Sequence, residues 1–345
     1  MRLSISDFLQ LRHDLPVVDV RSEGEHATGH IRGAHNIPIL NNDERRQVGT
    51  DYKQKGQQEA IRTGFRLVGP RLTQIVDDAR QLGNELIVHC WRGGMRSGNF
   101  CQFVEMARQK THQLDGGYKA YRQLSLESFR QPLQLTIIGG YTGSGKSEVL
   151  RALGDHGEQI IDLEMLARHK GSVFGGLSMP PQPTSEQFHN DLFEAIIKLD
   201  RSKRIWIEDE SLGIGQVFLP EPFWSQMRIS PIVEIDVDKS TRVERLVKEY
   251  GSADRDAFLE AMLKITRKLG GQHFIAAKER LEADDMPATI DILLTYYDKA
   301  YRRGLDNKSD RVKNKFHWNG NNVNNIAEDL IRAFNHPMTK SQITQ

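Results

Sequence analysis

The residue with the clearest chemical potential is Cys90, which follows the apolar run 86–88 and opens a loop that ends at Ser97. Backbone N–H groups of such a loop can converge on one point, and the following helix start adds partial positive charge. Arg92 and Arg96 add two full charges. We therefore expect a lowered thiol pKa at Cys90 and a thiolate available near neutral pH, since nearby cations favour the charged form. The pattern predicts a reactive cysteine that works on an anion.

A second loop, residues 139–147, contains a complete Walker A pattern between a strand-like run and a helical run. Glycines in this pattern let backbone N–H groups point at phosphate oxygens, while the lysine reaches the terminal phosphate. Ser147 would be a ligand of Mg²⁺ if a metal takes part, and no other metal site is expected. The pattern specifies phosphate, and would serve ATP or a pyrophosphate leaving group equally. The predicted phosphate-binding residues are Gly140, Gly143, Ser144, Gly145, Lys146 and Ser147.

Acidic residues at the ends of two further strand-like runs are candidates to support a metal or the phosphate loop. Asp162 follows residues 159–161, and Glu208 and Asp209 follow residues 204–207. Acids commonly end exposed strands, so this prediction is less specific than the Walker A pattern. His26 and His30 have helical spacing, but Gly29 and the lack of a carboxylate between them argue against a metal site there.

Local clusters of positive charge are the only basis for nucleic-acid binding, because the net charge of the chain is +1. Each cluster is also compatible with an ordinary solvated face. One cluster is interspersed with Tyr301 and Trp318, and residues 53–55 form a further candidate. The cations predicted to contact RNA are Arg168, Lys170, Arg302, Arg303, Lys313 and Lys315.

The elements that must position these residues alternate between strand and helix patterns, which predicts an α/β protein with parallel sheets. We expect a first domain over residues 1–130 and a P-loop domain with a helical C-terminal region over 131–345, because 130–132 interrupt the pattern with a proline. The two cysteines exclude a disulfide framework, and Cys101 on its helix is expected to be structural. With no apolar run of about 20 residues and no secretion signal, we expect a cytoplasmic protein that does not enter membranes.

The flanks of the Cys90 loop distinguish two families that share such a loop, the cysteine phosphatases and the rhodaneses. Residues 18–21, 29–38 and 114–118 resemble a rhodanese domain. Most single rhodanese domains have one residue fewer between the cysteine and the arginine, so the longer loop here predicts a wider pocket for a tetrahedral anion with a large atom.

A rhodanese-like domain followed by a P-loop domain resembles the tRNA 2-selenouridine synthase family. Beyond the two loops, residues 41–54, 162–175 and 208–211 look like signatures of that family, and the resemblance runs from about Pro16 to about Tyr301. One departure is Tyr141, where the family often has a smaller residue.

The resemblance implies a two-stage reaction on wobble 2-thiouridine of tRNA. Geranyl diphosphate first alkylates the sulfur, and selenium from selenophosphate then displaces the S-geranyl group. We assign the diphosphate to Lys146 and its loop, and selenium handling to Cys90. As a hypothesis, Cys90 carries the chalcogen or attacks the donor, and Arg92 and Arg96 bind the anion. We expect these two cosubstrates and tRNA as the partners of a monomer, with no tightly bound cofactor.

Three alternatives stay open on the sequence. One is a rhodanese-fold cysteine phosphatase or sulfurtransferase fused to a P-loop small-molecule kinase. A second is a P-loop kinase with an idle rhodanese domain. A third is a non-enzymatic RNA-binding module, which would leave the activated setting of Cys90 without a purpose.

Overall fold

The chain forms two compact units in a computed structural model that describes residues 1–177, 179–306 and 308–335. The first unit consists of Met1–Ser128 together with the short segment His189–Glu194, and the second of Phe129–Phe188 with Ala195 onward. The predicted domains are two continuous ranges of the sequence that meet at residue 130. The two units are defined by contacts and combine separate segments, so the predicted domain bounds stay a prediction.

The first unit is a five-stranded parallel sheet flanked by helices, with strand order β1-β5-β4-β2-β3. Its strands are β1 (Arg2–Leu3), β2 (Val17–Asp19), β3 (His35–Asn36), β4 (Glu85–His89) and β5 (Lys110–Leu114). Its helices are α1 (Ile5–Leu11), α2 (Glu23–Thr28), α3 (Asn42–Lys55), α4 (Gln57–Val68), α5 (Leu72–Leu82), α6 (Met95–Met106) and α7 (Gly117–Ser128). The predicted rhodanese-like α/β architecture is confirmed.

Strand β4 is central in this sheet, and its position explains where Cys90 lies. Leu86, Ile87 and Val88 are fully buried, as expected for a strand covered on both faces. Cys90 follows the last residue of β4, and the helix α6 starts at Met95. The thiol therefore lies at the carboxyl edge of a parallel sheet, where such folds commonly bind ligands.

The segment from α3 to α4 is an all-helical insertion between β3 and β4. Asn41 and Glu44 form a reciprocal capping box that starts α3, with the Asn41 side chain accepting from the Glu44 N–H at 2.9 Å. Gly56 separates α3 from α4 with a φ of 88°, a conformation that favours glycine. The buried Asp51 accepts a hydrogen bond from Thr63 at 2.8 Å and thereby ties the two helices together.

The second unit is built on another five-stranded parallel sheet, with order β12-β11-β6-β8-β7 and a separate β9-β10 hairpin. Its strands are β6 (Gln134–Gly139), β7 (Gln159–Ile161), β8 (Arg204–Glu208), β9 (Gly213–Ile214), β10 (Val217–Phe218), β11 (Ile232–Asp236) and β12 (Val312–His317). The helices in this part of the chain are α8 (Lys146–Asp155), α9 (Leu163–Ala167), α10 (Ser185–Ile196), α11 (Glu221–Ile229), α12 (Lys239–Tyr250), α13 (Arg255–Leu269), α14 (Gly271–Glu282), α15 (Met286–Asp306) and α16 (Val323–Asn335).

The region after Lys239 is mostly helical, as predicted, but it also contains the strand β12, which the sequence analysis missed. This strand pairs with β11 at the sheet edge, and its lysines alternate with half-buried residues. Trp318 directly after it is 4% exposed, and its backbone N–H donates to the Asp236 carbonyl at 2.8 Å. The expectation that Trp318 is an aromatic of an RNA-binding surface is therefore wrong, because the indole is part of the core.

Within residues 1–177, 179–306 and 308–335, no helix has the length and apolar character needed to cross a bilayer.

Candidate active site

The Cys90 loop surrounds the thiol with hydrogen-bond donors. The Ser97 hydroxyl donates to Sγ of Cys90 at 3.1 Å, and the Gly94 N–H donates to the same sulfur at 3.3 Å. The side chain of Gln113 orients this hydroxyl by donating to Ser97 Oγ at 2.8 Å. The loop is thus a ring of donors around one sulfur atom, as the sequence pattern predicts.

These donors decide the protonation state of Cys90. Burial on its own would raise the pKa of the thiol, since the charged form loses water. The hydrogen bonds from the Ser97 side chain and from the backbone of Ser97, Arg92 and Gly94 outweigh burial, so the pKa of Cys90 is lowered. Cys101 is the contrasting case, because burial raises the pKa of its thiol. The pKa of the two thiols is thus shifted in opposite directions, while the roles of Cys90 as a reactive and Cys101 as a structural cysteine stay predictions.

The loop is kept in shape by the turn that begins α7. The Tyr118 N–H donates to the Cys90 carbonyl at 2.9 Å. Gly117 has a φ of 56°, and a side chain on it would meet the Cys90 carbonyl at 2.3 Å and the Gly93 nitrogen at 2.6 Å. Only glycine permits such a close approach, so α7 acts as a rigid wall behind the thiol loop.

The two loop arginines have different environments. Arg96 forms a bidentate ion pair with Glu25, at 2.6 Å and 3.2 Å, and Arg45 also contacts that carboxylate at 2.9 Å. Burial opposes the charge on Glu25, but the hydrogen bond and charge of Arg96 keep the pKa of Glu25 lowered. Arg92 is exposed. An anion that binds Arg96 would therefore have to compete with Glu25 for its guanidinium.

The predicted phosphate loop joins β6 to α8, the arrangement expected for a Walker A motif. Gly145 precedes α8 with a φ of 78°. Lys146 folds back over the loop, and its Nζ donates to the Gly140 carbonyl at 3.0 Å. The Ser147 hydroxyl donates to Glu164 at 2.5 Å. The Lys146 ammonium thus contacts carbonyls of its own loop, and its role in binding phosphate stays a prediction.

A cavity of about 610 Å³ opens beside this loop and contains both signs of charge. Such a volume is within the range of small-molecule sites. Many of the cations at its wall are already paired, for example Lys308 with Asp209 at 2.8 Å and Lys170 with Glu249 at 2.9 Å. The cations that line it are Lys146, Arg151, Lys170, Arg245 and Lys308.

The carboxylates near the phosphate loop divide into structural and cavity-lining groups. Asp162 caps α9 by accepting from the Met165 N–H at 2.8 Å, and its other oxygen accepts from Arg151 at 2.8 Å. Glu208 is fully buried, accepts from the Glu164 N–H at 2.8 Å and has a pKa raised by burial and by the charge of Asp162. Asp209 lines the cavity, paired with Lys308. The role of these acids as support for a metal stays a prediction.

Two further carboxylates, Glu164 and Glu210, lie in the family-like segments 162–175 and 208–211 and also line this cavity. Glu164 holds Ser147, and burial raises its pKa. Glu210 lines the cavity, and burial together with the charge of Glu164 raises its pKa to about 7. The sequence signal was their position within three residues of the ends of β7 and β8, but the backbone course decides which of several neighbouring acids lies at the loop.

Among residues 1–177, 179–306 and 308–335, no group of three or more His, Cys, Asp and Glu side chains is arranged to hold a metal ion. A Mg²⁺ ion bound to Ser147 together with a phosphate therefore stays a prediction, in which the hydroxyl would exchange its bond to Glu164 for the metal.

The predicted RNA-contacting cations lie at three places in the second unit. Arg168 is exposed, and Lys170 lines the large cavity. Lys313 and Lys315 are exposed on β12, with Lys315 near Glu234 and Asp236. Arg302 and Arg303 line a separate open cavity of about 460 Å³ that Lys239 and Lys299 also border.

Two protein-family models match this chain, each over a different range of residues. Residues 133–330 match the family described as the tRNA 2-selenouridine synthase AAA domain, and residues 4–124 match the rhodanese-like domain family. The tRNA 2-selenouridine synthase of Nitrosomonas europaea is 34% identical, over 78% of this chain and 80% of its own length. The synthase of Shewanella frigidimarina is 32% identical over 88% and 92%, and that of Serratia proteamaculans 34% identical over 88% and 90%. This chain belongs to the tRNA 2-selenouridine synthase family.

Proposed function

We propose that this protein is a transferase that converts wobble 2-thiouridine of tRNA to 2-selenouridine through an S-geranylated intermediate. The observation that carries the proposal is the Cys90 thiol, whose pKa is lowered by donors of its own loop in a chain that also has a phosphate cavity. Its relatives bear the name tRNA 2-selenouridine synthase. One loop would serve each of the two phosphate-bearing cosubstrates, geranyl diphosphate and selenophosphate.

The first stage is assigned to the phosphate loop. The sulfur of the base forms a bond to the terminal carbon of the geranyl chain, the carbon–oxygen bond breaks, and its electron pair leaves with pyrophosphate. The base loses its ring N–H proton to solvent, which leaves a neutral S-geranylated base. Lys146 and the backbone N–H groups of the loop stabilise the negative charge that develops on the leaving group, which is the usual way that such loops lower a barrier.

The second stage is assigned to Cys90. Its thiolate attacks the phosphorus of selenophosphate, so that a sulfur–phosphorus bond forms and the phosphorus–selenium pair leaves as hydroselenide. Water then hydrolyses the thiophosphate and restores the thiolate. Hydroselenide attacks C2 of the S-geranylated base, and the C2–S pair leaves as geranyl thiolate, which takes a proton from solvent. Arg92, which is exposed, would bind the donor anion.

Single substitutions separate the two stages. We expect Cys90→Ala to retain geranyl transfer and lose selenation, whereas Lys146→Ala loses geranyl transfer. The measurement is mass spectrometry of 2-thiouridine tRNA after incubation with geranyl diphosphate and then with selenophosphate. Cys101→Ala is the matched control, since its thiol has a raised pKa and should leave both stages intact.

The division of labour is wrong if a correctly folded Cys90→Ala protein also loses geranyl transfer. Hydrolysis of a phosphate monoester that depends on Cys90, without any change in tRNA, would instead support the phosphatase alternative. ATP turnover in the absence of tRNA would support the kinase alternative.

A further inference from the structure

An apolar groove of about 160 Å³ lies in the first unit between the α3–α4 insertion and α6. Val48 and Tyr52 of α3, Ala60 and Phe65 of α4, and Met95 and Phe103 of α6 line it. The lining is overwhelmingly apolar, in contrast to the charged cavity of the second unit. A phosphate or a polar nucleobase finds few partners there, so the groove suits a hydrocarbon.

The mouth of the groove exposes large apolar side chains to solvent. Tyr52 and Phe65 are each 59% exposed, and Met95 is 51% exposed. Isolated exposed apolar residues are common, but several around one groove indicate a binding site. Methionine and aromatic side chains adapt to irregular apolar ligands, because they offer large, polarisable surfaces.

The groove borders the start of α6, the helix that follows the Cys90 loop. Met95 and Arg96, both in its lining, directly follow Gly94, whose N–H donates to Sγ of Cys90 at 3.3 Å. Arg96 contributes a charged group to the lining, and its guanidinium is held by Glu25 at 2.6 Å. An apolar chain in the groove would therefore lie beside Arg96, on the helix that begins directly after the thiol loop.

The size of the groove limits that chain. An apolar protein cavity of about 150 Å³ holds one benzene molecule, which has six carbon atoms. The groove has a similar volume and is open to solvent, so a branched chain somewhat longer than benzene fits with part of it outside. A protein helix or a long lipid chain is too large to be enclosed.

We propose that this groove binds the hydrocarbon chain of the S-alkylated base during its reaction at the Cys90 loop. The inference rests on the proposed function and deepens it by giving the prenyl chain a site in the first unit. Binding the chain there positions C2 of the base at the thiol loop, where hydroselenide is released. It also selects alkylated over unmodified 2-thiouridine for the second stage.

The first test measures binding with the full-length protein and a free nucleoside, S-geranyl-2-thiouridine, by isothermal titration calorimetry. We expect it to bind at least about tenfold more tightly than S-methyl-2-thiouridine, because each additional buried CH₂ contributes severalfold in affinity. Phe65→Ser removes one exposed wall and Ala60→Phe fills the groove from its buried side. Both should abolish this preference, while Met106→Phe, at an 84% exposed position outside the groove, should retain it.

Equal affinity for the two nucleosides in the wild-type protein would overturn the groove assignment, as would a preference that survives Phe65→Ser. Because Phe65 is exposed, that variant remains informative if Ala60→Phe fails to fold. A dimer in sedimentation experiments that Phe65→Ser dissociates would show that a second copy covers the groove, which also overturns the assignment.

A second readout distinguishes failure of the groove from failure of the proposed function. An RNA oligonucleotide already carrying S-geranyl-2-thiouridine is incubated with selenophosphate, and 2-selenouridine is measured. We expect Phe65→Ser to raise KM for this RNA with a smaller effect on kcat. If the wild-type protein forms no 2-selenouridine, the proposed function is wrong, whereas the binding comparison still tests the groove.

Discussion

At the scale of single residues, the chemistry of Cys90 depends on a few donors that oppose the effect of burial. The Ser97 hydroxyl is the donor with the shortest contact, at 3.1 Å, and its charge-stabilising effect is the largest after burial. That serine is visible in the sequence, and the loop pattern predicts its role as part of the thiol loop. The pairing of Arg96 with Glu25 could not be predicted from the sequence. The two residues are 71 positions apart, and only the fold brings them into contact.

Replacing Ser97 with alanine tests this balance. We expect the pKa of Cys90 to rise, because its thiolate loses the hydrogen bond from the Ser97 hydroxyl while burial still opposes the charge. The measurement is the pH dependence of alkylation by iodoacetamide in a Cys101→Ala background, which leaves one thiol. An unchanged profile would mean that the backbone N–H groups alone stabilise the thiolate.

Glu210 is the residue that should make the phosphate cavity sensitive to pH. Burial and Glu164 raise its pKa to about 7, so it is neutral below that pH and becomes negative above it. Lys146 and Asp209 also act on this carboxyl. We expect the affinity for inorganic pyrophosphate to decrease between about pH 6 and 8. The carboxylate of Glu210 becomes negative over this range and repels the anion.

The comparison with Glu210→Gln isolates this effect, because the ionisation of pyrophosphate is common to both proteins. The difference between the two affinity profiles should grow through pH 7 and then level off. The free energy of unfolding should change in the same direction as the affinity. Because the pKa of Glu210 is raised in the folded protein, the fold loses stability as pH rises from about 4.5 to 7, and the glutamine variant lacks that loss. Parallel profiles would show that Glu210 does not titrate in this range.

At the scale of elements, the sequence predicted the two strand–loop–helix units well, because each combines a short buried strand with an explicit loop pattern. β4 and β6 are apolar throughout their centres, and the loops that follow them contain glycines at fixed spacing. β12 was missed because it has neither a buried apolar centre nor a recognisable loop pattern after it. Its residues Lys313 and Lys315 belong to a charged stretch, and an edge strand needs only one partly buried face.

The turn at the start of α7 should be intolerant of a side chain. In Gly117→Ala the new Cβ would lie 2.3 Å from the Cys90 carbonyl, and the residue would also have to keep a φ of 56°. We expect a loss of at least about 2 kcal/mol in unfolding free energy, the combined scale of backbone strain and overpacking. Urea denaturation measures this loss. Gly49→Ala is the control, because a Cβ added at Gly49 would meet no neighbouring atom within 4 Å.

At the scale of the whole molecule, a net charge of +1 means that RNA binding depends on how cations are distributed. Lys170, Lys308 and Lys315 are each close to carboxylates in the structure, which lowers the free positive potential around them. The sequence predicted where cations occur along the chain. Their pairing depends on contacts between distant segments, such as Lys308 with Asp209, and could not be predicted from local composition.

The cavity bordered by Arg302 and Arg303 is the place where phosphate contacts are best tested. We expect Arg302→Ala with Arg303→Ala to reduce the slope of log affinity for tRNA against log salt by about one to two, since each lost phosphate contact removes about 0.7–0.9. Lys203→Ala with Arg332→Ala is the control, as both side chains are at least 70% exposed outside this cavity. Equal slopes would place the RNA on another surface.

The ion pair between Arg96 and Glu25 has a consequence for turnover. The protein's own carboxylate occupies the guanidinium, so an incoming anion binds by exchange, and a departing anion is replaced at once by an internal competitor. Such an arrangement weakens the affinity of the Arg96 guanidinium for any anion, which under the proposed function includes the phosphate left by selenophosphate. Under the proposed function, Glu25 would favour release of that anion by re-forming its ion pair with Arg96.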